Sequence, residues 1–268
     1  MIEVLSYTFF QNALAGVLLV SVAAAIIGTY IVTRRMVFIA GGVTHACFGG
    51  LGLGYFLGLS PIAMAGVVAV ASSLGVEWLS ATRRVREDSA IGVVWALGMA
   101  LGTLFIFLTP GYVPELNTFL FGSVLTINCA DLIAFGTYAV VLLIVFGLLH
   151  RTIIVCAFDR DFARTLGLPV AAVNCLMTAL VAICIVLTIR LIGIMLLMSL
   201  FTVPQMIAET YTRRFVPMAA LSALVSALCG VAGLVCSVFL SVPASVTIVL
   251  VLIAVFACSK IFVSSKVQ

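Results

Sequence analysis

Polar positions along this chain are few, and they come in clusters. Between the clusters run apolar stretches at 9–33, 36–58, 61–80, 89–109, 131–149, 171–189, 191–211, 215–238 and 241–262. Each is about as long as a helix needs to be to cross a hydrocarbon core of roughly 30 Å. The pattern predicts an all-α polytopic membrane protein with about nine transmembrane helices, eight to ten being compatible with it. Segment 110–130 holds two prolines and two glycines and is amphipathic. A short surface or re-entrant helix is expected there. No polar stretch is long enough for an attached soluble domain, so 1–268 reads as a single transmembrane domain. The start of the chain lacks a basic n-region, and no cleavable signal is expected.

Composition agrees with the pattern. Hydrophobic residues make up 65% of the 268 and charged residues only 8%, more apolar surface than a soluble domain of this size can hide. The eight cysteines form no C-x-x-C pair and read as small apolar fillers, not as disulfide partners or zinc ligands.

Charge sets the expected orientation. With the N-terminus outside and nine spans, all of the 13 Lys and Arg face the cytoplasm except Arg190. They lie at Arg34 and Arg35, in the loop with Arg83, Arg84 and Arg86, in the 150–170 loop, at Arg213 and Arg214, and in the tail with Lys260 and Lys266. The reversed orientation breaks the positive-inside rule.

Residues 38–58, FIAGGVTHACFGGLGLGYFLG, combine dense glycines with one histidine. Gly42, Ala46, Gly50, Gly54 and Gly58 recur every four residues, and Gly41 and Gly49 flank them. Small residues at this spacing let another backbone approach closely, so this span is expected to be packed inside the bundle. His45 lies about 14 Å along the helix from Met36, near the bilayer midplane. An ionisable group at that depth faces a cavity or a partner. A neutral imidazole there offers a nitrogen to a divalent cation; the alternative is a ring hydrogen-bonded to a neighbouring helix.

The longest mixed-charge loop, about 150–170, contains FDRDFARTLGLP. An acidic start followed by Leu166-Gly167 predicts a short amphipathic helix closed by the glycine.

This pattern, D-x-x-x-A-x-x-L-G-x-P, resembles the coupling loop of ABC-importer permeases. Three further blocks resemble the metal-ion permeases of the zinc/manganese ABC importers: 34–61 with its glycines and His45, RRVREDSAIGVVWALGMALG at 83–102, and RLIGIMLLMSLFTVPQMIAETYTRRF at 190–215. The resemblance implies a multi-pass permease in the bacterial cytoplasmic membrane, a homodimer, served by an extracytoplasmic metal-binding protein and driven by a separate cytosolic ABC ATPase. It implies ATPase coupling through Asp159, Asp161, Ala163, Arg164, Leu166, Gly167 and Pro169, and a place for His45 on the translocation path. The cargo is a divalent transition metal; no permanently bound cofactor and no nucleic-acid partner are expected. The family's motif usually has an aspartate one turn before the histidine, where this chain has Gly41. Loss of a hard oxygen ligand leans the expectation towards zinc, with manganese or iron as alternatives.

Other residues carry weaker expectations. Glu77 and Glu209 form a candidate exit-side acidic pair, or else flank the membrane beside Arg83/Arg84 and Arg213/Arg214. Met195 and Met198 are soft candidate ligands, or core filler. Asp131 and Glu115 fall on the outer side, Pro204 suggests a kink in its span, and Glu87 and Asp88 suit the start of a helix. The chain has no P-loop, H-E-x-x-H or G-x-S-x-G, so a transport protein is expected and not an enzyme. Permeation of a metal chelate such as a siderophore, haem or cobalamin, and an ATP-independent carrier, remain as alternatives.

Overall fold

The computed structural model of the chain describes residues 6–83, 85–110 and 124–267. Ten α-helices follow in order: α1 Thr8–Thr33, α2 Val37–Leu57, α3 Pro61–Arg83, α4 Glu87–Leu108, α5 Cys129–Phe158, α6 Arg160–Thr165, α7 Val170–Leu200, α8 Val203–Glu209, α9 Phe215–Leu240 and α10 Ala244–Val267. A single 3₁₀ turn at Val124–Thr126 precedes α5, and there is no strand among the described residues. Most of the expected segment 110–130, with Glu115, lies outside the described residues.

Among the described residues eight stretches are long and apolar enough to span a membrane. Seven match expected runs. The eighth, Val170–Glu209, takes in both 171–189 and 191–211. It is not one straight rod. Gly193 stands at φ 79 and ψ 173 inside α7, a conformation open essentially to glycine alone. A second break at Leu200–Val203 separates α7 from α8. Pro204 sits at the start of α8, where a missing N–H costs nothing. It therefore begins a helix and does not kink one; the sharp bend belongs to Gly193. The expected loop 150–170 is also shorter than anticipated. Helix α5 continues through His150 and Arg151 to Phe158, because polar side chains that reach water do not interrupt backbone hydrogen bonding.

The expected single domain is built from two compact units interleaved in sequence: Met1–Thr33, Leu116–Ile144 and Leu187–Gln268 form one, and Arg34–Glu115 and Val145–Val186 the other. The chain passes between them within α5 and within α7.

In the second unit α2 is the buried centre, packed on α3 and α4. Its glycines serve two faces. A Cβ at Gly49 would meet the carbonyl oxygen of Gly98 at 2.9 Å, and one at Gly52 that of Gly102 at 2.5 Å, so α2 and α4 touch backbone to backbone. Gly42 faces Ile91 on the same side. Gly50 and Gly54 turn instead towards α3, where a Cβ would meet Met64 O at 2.5 Å and Pro61 Cα at 2.6 Å. Gly58 lies outside this packing. It ends α2 at φ 67, and Leu59 N–H donates to Gly54 O; the four-residue spacing places it in the row, but its position is the left-handed helix terminus.

In the first unit α1 packs along α9, with Gly230 against Val17, and α9 packs on α10, with Gly233 against Ile248. Near its start α1 meets the segment before α5: Asn12 donates to Ile127 O at 3.0 Å, and Gly16 faces Ile127 and Leu132. Near its end it meets α8: Gln205 donates to Ala24 O at 2.9 Å, and Gly28 faces Gln205 and Phe201. Arg190 is paired with Asp131 at 2.5 Å, beside Leu132. Between Arg190 and Gln205 the chain therefore travels back along α1 by about 18 Å, the rise of twelve helical residues. Region 191–211 is a broken passage, interrupted at Gly193 and again at Leu200–Val203.

Candidate functional site

His45 lies on α2, nine positions after Met36 and flanked by the glycines that seat α2 on its neighbours. Its ring stacks on Trp95 of α4, with centroids 4.4 Å apart and planes 9° from parallel. The close backbone approach of α2 and α4 makes that stack geometrically available. The imidazole is only half-buried, so a face of it is open. Gly41, one turn earlier, is buried and supplies no carboxylate. Cys47 is fully buried and points elsewhere. Among the described residues no three His, Cys, Asp or Glu side chains gather as a metal site. Among the described residues of one chain, His45 is thus a lone half-buried donor on an aromatic support.

Segment 159–169 has the expected form. Asp159 caps α6, its carboxylate accepting from Asp161 N–H at 3.0 Å and Phe162 N–H at 2.9 Å. At the other end Leu168 N–H donates to Ala163 O and Gly167 N–H to Arg164 O, with Gly167 at φ 73. This is the Schellman ending that satisfies orphan carbonyls. Arg164 pairs with Asp161 on the exposed face at 2.9 Å. Ala163 is fully buried, while Phe162 and Leu166 are more than half exposed. A six-residue helix that anchors itself by one alanine and shows two large apolar side chains is a protruding knob.

Four charged side chains of the second unit meet in a cluster. Arg160, the first residue of α6, lies 2.9 Å from Glu87 and 3.4 Å from Glu77. Arg34 lies 3.2 Å from Glu87 and 3.5 Å from Glu77. Asn174 of α7 donates to Glu77 at 3.2 Å, and Ser80 to Glu87 at 3.4 Å. Arg34 is almost wholly buried, with 3% of its side chain exposed. Glu77 is therefore engaged by two guanidiniums and is not a free carboxylate awaiting a cation. Its partners among the described side chains include Arg34 and Arg160.

The whole arrangement is that of a known group of proteins. Residues 6–263 match the family described as ABC 3 transport family. The chain belongs to that family. A manganese transport system membrane protein, MntC, of Halalkalibacterium halodurans is 31% identical over 97% of this chain and 89% of its own length. A membrane protein of Synechocystis, slr2045, is 38% identical over 98% of this chain and 93% of its own. Among solved structures, PsaBC from Streptococcus pneumoniae in complex with a Fab superposes with a TM-score of 0.83 at 25% identity, covering 96% of this chain and 93% of the other. This chain is an ABC 3 permease, a multi-pass membrane protein without an ATP-binding motif in its sequence.

The remaining candidates of the permease are divided between the two units. His45 and Glu77 belong to one unit, Glu209 and Met198 to the other. Glu209 is exposed at the end of α8 and lines, with Thr210, Tyr211, Thr212, Arg213 and Lys260, an open groove of about 430 Å³. Met195 is exposed, Met198 half-buried. Asp131 is paired with Arg190 at 2.5 Å. Glu87 and Asp88 open α4. The ionic cluster and Trp95 escaped the sequence reading. An isolated glutamate inside the apolar run 61–80 was the one signal of the cluster, and a tryptophan in the block around 83–102 the one signal of the stack.

Proposed function

We propose that this chain is the permease subunit of an ABC importer for divalent transition-metal ions. Two copies enclose the path in the bacterial cytoplasmic membrane, a cytosolic ATPase docks on Asp159–Pro169, and an extracytoplasmic metal-binding protein delivers the ion. The observation that carries the reading is His45: a histidine inside an apolar span, half-buried and held flat against Trp95 on the most glycine-rich of the described helices. A single imidazole per chain suits a path that passes an ion along and does not trap it, and two copies supply two nitrogens. The amphipathic α6 supports the ATPase partner, and the manganese-named relative supports a metal cargo.

Zinc is the favoured ion. Imidazole binds it well at about 2.0–2.1 Å, and Gly41 removes the carboxylate that would favour a harder ion. Manganese is the second reading, favoured by the name of the Halalkalibacterium relative. The test is uptake of both metals by His45→Ala and His45→Gln at matched membrane levels. Glutamine keeps hydrogen bonding but is a poor zinc ligand. Zinc uptake is expected to fall at least tenfold in both variants. Wild-type uptake of both metals by the glutamine variant would make His45 a packing residue.

A further inference from the structure

The four-charge cluster has a geometry that its stabilising role does not explain. Burying charges costs several kcal/mol each, and apolar residues of the same volume hold a structure as well or better. Three of the four ion-pair contacts are long, at 3.2, 3.4 and 3.5 Å; only Arg160–Glu87 is short, at 2.9 Å. Both guanidiniums face both carboxylates. Arg160 can therefore shift its weight from Glu87 to Glu77 while Arg34 keeps either carboxylate paired. Such a closed set of two cations and two anions is a joint that can slide without leaving a charge bare.

Its members stand at the ends of the elements they join. Arg160 begins α6, the exposed knob. Glu87 begins α4, which carries Trp95. Arg34 lies in the turn before α2, which carries His45, next to Arg35 in the left-handed region at φ 58. Helices α2 and α4 touch backbone to backbone at Gly49–Gly98 and Gly52–Gly102, so a pull on their shared end moves them as one body. We infer that Arg34, Glu77, Glu87 and Arg160 form the mechanical link by which displacement of α6 is passed to the α2–α4 pair and its His45–Trp95 stack. The inference rests on the reading of α6 as the ATPase contact. Arg34 and Glu87 are positioning residues: they touch no cargo and act through the helices they start.

The experiment uses the complete complex of permease and ATPase in proteoliposomes with its metal-binding protein. The double variant Arg34→Met/Glu87→Gln removes one charge of each sign. It leaves Arg160–Glu77 balanced and α6 untouched, so folding and ATPase recovery serve as internal controls. Zinc taken up per ATP hydrolysed is expected to fall about tenfold. Arg34→Lys, which keeps the charge, is expected to retain most of the ratio. A purely structural cluster would lower the amount of complex and leave that ratio unchanged. A wild-type ratio in the double variant overturns the link. Absence of ATP-driven uptake in the unsubstituted complex has a different signature and overturns both the link and the reading beneath it.

Discussion

Gly167 shows how much can hang on a single backbone angle. At φ 73 it closes α6, and a Cβ there would meet nothing within 4 Å. The cost of a side chain is thus purely conformational, about 1–2 kcal/mol for an ordinary residue. That is enough to loosen a helix of one and a half turns. Gly167→Ala is expected to reduce ATPase co-purification severalfold without affecting insertion, and Gly167→Asn to lie between, since asparagine tolerates the left-handed region. Equal recovery from all three proteins would count against α6 as the docking element. This residue was legible in the sequence, because a helix stop is a local event. The place of His45 inside a helix was legible for a similar reason: one long apolar run carries it. Trp95, Arg34 and Arg160 were not. Glu77 finds its partners 43 and 83 positions away, and nothing within its own span announces a contact so distant. Proximity in sequence pointed to Arg83.

At the scale of the element, α2 is defined by what it lacks. Its glycines at 49 and 52 lie against backbone of α4, and those at 50 and 54 against α3. A methyl group at Gly52 forces the helices apart, an overpacking cost of about 1–3 kcal/mol. Gly75 of α3 has open space around it, so a methyl there is free of clash and improves helix propensity. Gly52→Ala is therefore expected to lower the thermal stability of the detergent-solubilised permease by several degrees, and Gly75→Ala to leave it unchanged or slightly raised. Matching behaviour of the two would show that α2 and α4 are not in backbone contact. The sequence spacing made the packing of α2 legible but merged two faces into one row, because a four-residue repeat drifts around the helix. Helix existence was legible throughout, since long apolar runs leave few alternatives in lipid. Breaks were harder. Gly193 sits in a run as apolar as any other, and only its backbone angles distinguish it from the many glycines that stay helical.

Across the whole molecule, the interleaving of two units could not be read from the chain, because no composition shift marks where α5 and α7 pass from one to the other. The direction of each passage can be argued within the first unit. Helix α9 follows α8, which meets α1 at Ala24 and Gly28, and reaches Val17 of α1 only at Gly230, so it runs antiparallel to α1, with Phe215 about 22 Å further towards the Thr33 end. The broken passage from Arg190 to Gln205 travels the opposite way to α9, towards the Thr33 end of α1. If it completes a crossing, it brings Arg213 and Arg214 to the side of Arg34, sends α9 out and returns α10 with Lys260. If 194–209 only dips and returns, every later element is inverted. Positive-inside asymmetry favours the first arrangement, and so does the groove where Glu209, Arg213 and Lys260 meet, since α8, α9 and α10 can share it only if their charged ends lie together. Reporter fusions after Arg214, Ser241 and Lys260 are expected to report inside, outside and inside. The reverse sequence would show that the segment between Gly193 and Glu209 is re-entrant and that the chain has eight crossings, with its tail on the side of its N-terminus.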